Sequence, residues 1–168
     1  AQMDRALAET QVAGSVTNHA FLRKLIRHPD FVAARLDTGL IDRDIDALCV
    51  TPVPCSRSRS LAAIGALGLH NSGGVLSGFA LWAPVQHSAR LIWGEEEITA
   101  RVTVDTAGFD VIVGDAQHRV ERRGEAWWID NAKTPAQIMR YGDVISVFYG
   151  NGYHYDIPDP FDVGGDAI

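Results

Sequence analysis

Six histidines, two cysteines and a run of three glutamates are the residues here whose types could support metal, nucleophilic or acid–base chemistry. The histidines stand at 19, 28, 70, 87, 118 and 154. No two have the HxH or HxxxH spacing that sets paired imidazoles on one face of a strand or helix. Cys49 and Cys55 lack a zinc-ligand spacing, and a disulfide across the two prolines near them would close only a tiny loop. Both are expected to be free thiols in a reducing cytosol, since a secreted domain of this size would carry more cysteines. There is no GxSxG elbow and no P-loop. Glycine-rich stretches at 65–74 and 150–152 read as turns and caps. Glu95, Glu96 and Glu97 fall in an expected hairpin turn, where a solvated charge run is the reading. Trp127-Trp128 puts one indole on each face of a strand, one for the core and one a candidate contact. No catalytic, cofactor-binding or metal-ligating residue is therefore expected.

The elements around these residues follow from composition and patterning. With 46% hydrophobic and 21% charged residues, the 168-residue chain should fold as one domain, or one domain plus a piece of another. A net charge of −6 opposes binding to a phosphate backbone. The one locally basic run, 119–123, is interrupted by Glu121 and reads as a solvated hairpin. Residues 1–12 lack the apolar core of a signal peptide, which points to the cytoplasm, and neither a membrane nor, given the charge, a nucleic acid is expected as partner. The chain does not open with Met and starts as though partway through a helix, as a fragment of something longer would.

Residues 1–46 read as short helices. Thr17 or Asn18 would cap one that carries Phe21, Leu22, Leu25 and Ile26, broken at His28-Pro29. Thr38 would cap another with Leu40, Ile41 and Ile45. Residues 47–53 read as a linker or short edge strand. A central helix is then expected over 54–69, about 24 Å long. Pro52, Pro54 and Ser56, Ser58 or Ser60 supply its start signal. Leu61, Ile64, Leu67 and Leu69, with alanines between them, leave it no polar face, so it must be buried all round.

Residues 71–89 form a long Gly/Ser-rich segment that nevertheless holds Leu76, Phe79, Leu81 and Trp82. It reads either as a loop folded over a barrel mouth or as an exposed apolar segment that docks a partner. From residue 90 about eight short β runs follow: 90–93, 97–104, 109–113, 117–122, 126–130, 136–141, 144–149 and 153–158. Residues 97–104 alternate apolar and polar, so one face is buried and one wet. The expected fold is α+β: a small N-terminal helical segment, then a central α-helix enclosed by an antiparallel β-barrel of about eight strands.

Two stretches resemble a known family. Gly14, Thr17-Asn18, Phe21-Leu22, Leu25, Pro29-Asp30-Phe31 and 37–41 (DTGLI) resemble the C-terminal end of the biotin carboxylase fold. Residues 142–148, 153–157 and Asp159-Pro160-Phe161 resemble the end of the BT domain that follows it in α subunits of acyl-CoA carboxylases. The resemblance implies boundaries at 1–47 for the carboxylase end, 48–162 for the BT domain and 163–168 for a linker toward a biotin carrier domain. It implies a non-catalytic module that joins an ATP-dependent biotin carboxylase to a carboxyltransferase β subunit. Biotin, ATP and a divalent metal would be cofactors of the parent enzyme and not of this fragment. The family's hook onto the β subunit would be 71–89, with Leu76, Phe79, Leu81 and Trp82 as anchors. The biotin-accepting Ala-Met-Lys-Met sequence is absent, since Arg140 follows Met139. The 3-methylcrotonyl-CoA enzyme is the member favoured over the propionyl-, acetyl- and geranyl-CoA carboxylases. The rival reading is a hot-dog-type acyl-CoA thioesterase. Against it, all strands follow the helix, and no Asp or Glu lies between Asp46 and Glu95.

Overall fold

The structure, a computed structural model, describes residues 2–14, 17–71 and 84–158. Among these, four short helices come first: α1 (Gln2–Glu9), α2 (His19–Arg27), α3 (Pro29–Val32) and α4 (Leu40–Cys49). The break between α2 and α3 falls at His28, whose extended ψ of 135° is what a residue before proline adopts. The His28 ring then accepts a hydrogen bond from the Asp30 N–H, so one residue ends one helix and caps the next. At α4 the N-cap is Gly39 rather than Thr38, and the Asp37 carboxylate accepts the Gly39 N–H at 2.8 Å. This helix runs on to Cys49, so residues 47–49 are helical and not linker. The four helices bury only Leu40 and Leu48. Met3, Val32, Leu36, Ile41 and Ile45 stay exposed.

Helix α5 (Ser56–Ala66) is the centre of the molecule. Leu61, Ala62, Ala63 and Ile64 are wholly buried, and strands β1–β4, β7 and β8 all pack against this helix. It ends three residues earlier than the sequence suggests. Leu67 is its C-cap, Gly68 turns the chain with φ +71°, and Leu69 opens a 3-10 turn (Leu69–Asn71). Leu67 and Leu69 are accordingly only partly buried against the core. The serines do not cap it. The Ser58 and Ser60 hydroxyls turn back to the Cys55 and Ser56 carbonyls, and Cys55 is an N-cap without a side-chain hydrogen bond.

Nine strands follow: β1 (Val85–Trp93), β2 (Glu96–Val104), β3 (Phe109–Val113), β4 (Ala116–Arg123), β5 (Ala126–Ile129), β6 (Ala132–Thr134), β7 (Gln137–Tyr141), β8 (Val144–Tyr149) and β9 (Asn151–Asp156). Their order in one sheet is β6-β5-β4-β3-β2-β1-β9-β8-β7, antiparallel at every pairing. The fold is α+β. On β2, Ile98, Ala100, Val102 and Val104 are buried while Glu97, Thr99 and Arg101 are exposed, which is the alternation of a one-sided sheet. Two-residue turns with a positive-φ glycine first, such as Gly94 and Gly114, join successive strands. The ninth strand arises at Asp130-Asn131. Both residues have positive φ, 52° and 63°, the requirement of a tight type I′ hairpin, and this turn folds β6 back onto β5. Trp127 enters the core, and Trp128 lies half-buried with the Arg123 guanidinium 4.3 Å from its ring centre.

Candidate functional site

A convergent arrangement of polar groups lies at the N-terminal end of α5. Pro54 is buried, and Cys55 is extended (ψ 167°), so the chain enters the helix with Ser56 as its first residue. On β4, His118 shares the face of buried Val120 and so points toward the helix side of the sheet. Asp130 follows the inward Ile129 and stands at the first position of the β5–β6 turn. These three elements converge. His118 Nε2 lies 2.8 Å from Ser56 Oγ, and His118 Nδ1 lies 2.9 Å from Asp130 Oδ2.

The carboxylate is held by several donors. Its Oδ1 accepts the Arg119 N–H at 3.1 Å, and Arg57 Nη2 stands 3.4 Å from Oδ2. Burial works to raise the Asp130 pKa, but the His118 hydrogen bond, the Arg119 N–H and the charge of Arg57 act against it. The net shift is downward, and Asp130 stays ionised. An ionised carboxylate only accepts, so His118 donates from Nδ1, and in the neutral imidazole with that tautomer Nε2 accepts the Ser56 hydroxyl. Chemically these are a nucleophile, a base and an orienting carboxylate.

Beside Ser56 is an open cavity of about 270 Å³, lined by Pro54, Ser56, Arg59, Glu96, Ile98 and Val113 among others. Glu96 grips Arg59 through two bonds of 2.7 and 2.8 Å, tying the β1–β2 hairpin to the helix. It is therefore more than part of a solvated charge run. Glu97 pairs with Arg90 on the neighbouring strand.

Leu76, Phe79, Leu81 and Trp82, the four docking residues read from the sequence, lie outside the described residues, as do 159–168. Of the core helix residues, Leu61 and Ile64 are buried, Leu67 is the C-cap and Leu69 opens the 3-10 turn beyond it, both partly buried. Cys49 and Cys55 are exposed free thiols. Among the described residues no group of three or more His, Cys, Asp or Glu side chains is arranged to hold a metal ion. None of the described helices is long and apolar enough to cross a membrane. The sequence reading missed Ser56, His118 and Asp130 as a group, because they come from three elements and form no contiguous motif. Neither a scan against protein-family models nor a search of curated proteins finds a match to this chain.

Proposed function

We propose that the chain is an assembly module of a biotin-dependent acyl-CoA carboxylase α subunit: the end of the biotin carboxylase domain over 1–47, the BT domain over 48–162 and the start of a linker over 163–168. The observation that carries this reading is α5 itself. Its apolar half, Leu61 to Ile64, is wholly buried and β1–β4, β7 and β8 pack against the helix, which supports a core of packed side chains instead of a substrate cleft there. In this reading the nine strands close as a barrel around α5, the short helices belong to a larger carboxylase lobe, and the exposed Met3, Val32, Leu36, Ile41 and Ile45 are covered by that lobe.

The module acts in the cytoplasm by gripping the carboxyltransferase β subunit through Leu76, Phe79, Leu81 and Trp82. A carrier-bound biotin can then travel between two fixed active sites, with ATP, biotin and a divalent metal used elsewhere in the parent enzyme. A 3-methylcrotonyl-CoA carboxylase is the parent favoured by the resemblance. The test is co-purification with carboxyltransferase β subunits from the candidate enzymes. The chain should retain one of them, and the Phe79→Ala, Trp82→Ala double variant should lose it at unchanged melting temperature. Full retention by the double variant would overturn the docking assignment.

A further inference from the structure

Beyond assembly, the geometry points to a chemical activity at the rim of the sheet: we propose that Ser56, His118 and Asp130 form a hydrolytic relay in which Ser56 is acylated by small activated acyl esters. Three independent features carry it. The first is the chain of contacts, Oγ to Nε2 at 2.8 Å and Nδ1 to carboxylate at 2.9 Å, both within the reach a nucleophile–base–orienter set requires. The second is rigidity of the base. The His118 side chain is 12% exposed, and its carboxylate partner is fixed by a backbone N–H and an arginine as well as by the imidazole. The third is room for a substrate, since Ser56 lines the open cavity next to it.

The step balances without any further reagent. Ser56 Oγ attacks the ester carbonyl carbon while its proton passes to His118 Nε2, and Asp130 stabilises the imidazolium that forms. The carbon–oxygen bond to the leaving group breaks, and that alkoxide takes the proton from Nε2. Water then attacks the acyl-serine by the same route in reverse, releasing a carboxylic acid and restoring Ser56. As the first residue of an 11-residue helix whose N-cap makes no side-chain hydrogen bond, Ser56 also stands beside backbone N–H groups of the kind that stabilise an oxyanion. Triads are recognised by such geometry and not by their order along the chain.

The test uses the intact 168-residue chain with a fluorophosphonate probe and with p-nitrophenyl acetate. A single phosphonyl adduct is expected on Ser56 by peptide mapping, formed about a hundredfold more slowly in His118→Ala. Asp130→Asn should slow the same adduct, and Ser56→Ala should abolish both adduct and ester turnover. A hydrogen-bonded trio with a merely structural role would leave the wild-type serine unlabelled, and that result overturns the proposal. So would ester turnover that survives undiminished in Ser56→Ala. Wild-type labelling needs no variant, so the proposal stays testable even if His118→Ala does not fold. Its outcome is also separate from carboxyltransferase binding.

Discussion

At the residue scale, buried His70 and half-buried Asp105 set two separate windows of the acid response. His70 is buried, its Nδ1 has no hydrogen-bond partner among the described residues, and its carbonyl accepts from Arg122. Burial, then the charges of Arg122 and Arg140, hold its pKa below the usual 6.5. The unfolded chain therefore takes up a proton that the folded one refuses once the pH falls below 6.5. Stability should be flat above that value and decline below it. His154 adds to this in the same direction through burial, with Ser146 on its Nδ1. Replacing His70 by Leu should leave less of a decline in the urea midpoint between pH 7.5 and pH 5 than wild type shows; an unchanged slope would refute the assignment. Asp105 acts in another window. Arg119 clamps it at 2.7 and 2.8 Å, and the Ala107 and Gly108 N–H groups add to this against the effect of burial, so its pKa lies far below the ordinary 3.8. Its stabilisation is full above that ordinary value and disappears only as the pH falls toward the folded-state pKa. None of these roles was legible in the sequence. They depend on which cations the fold brings near, and Arg122 lies 52 positions from His70.

At the scale of elements, the approach of α5 to the sheet depends on one residue without a side chain. A Cβ at Gly65 would stand 2.7 Å from the Ile138 Cγ2 and 3.0 Å from the Ile145 Cγ2, so β7 and β8 sit closer to this helix than any other residue permits. Gly65→Val should cost about 2 kcal/mol in urea unfolding, because overpacking outweighs the gain in helix propensity. Combining it with Ile138→Ala should return part of that loss, a coupling that independent sites would not show. Much at this scale was readable in the sequence. The alternation of β2 and the apolar run of α5 are local patterns that burial must respect. The end of α5 was harder, since Gly68 only reveals itself as a stop through its positive φ. Strand β6 was missed because Asp130-Asn131 makes its turn without a glycine, relying on the tolerance of Asp and Asn for left-handed backbone.

At the scale of the whole molecule, the helical segment and the sheet meet through Arg23. Its Nη1 donates to the Gly150 carbonyl at 2.8 Å and to Asn151 Oδ1 at 3.2 Å, at the β8–β9 turn. Lys24, on the same helix, donates to the Ala47 and Val50 carbonyls and so fastens α2 to the end of α4. Arg23→Met keeps the stem and removes the clamp. Amide exchange should then speed up about tenfold across residues 19–27 and stay unchanged in α5, as losing ~1.4 kcal/mol of charged hydrogen bonding implies. Equal exchange in both proteins would show that the clamp holds nothing. That a helix packs against the sheet was legible because each surface needs the other. The rim trio was not, since Ser56 lies 62 positions from His118 and Asp130 a further 12. The order of these parts along the chain also constrains biosynthesis. The apolar stretch of α5 leaves the ribosome before every described strand that packs on it, and β9, which pairs with β1, is the last of the described strands to emerge. At ~5–20 residues per second, roughly ninety residues of translation leave it unsheltered for on the order of 5–20 s. Holdase chaperones that recognise bare aliphatic segments have that interval in which to engage the nascent chain.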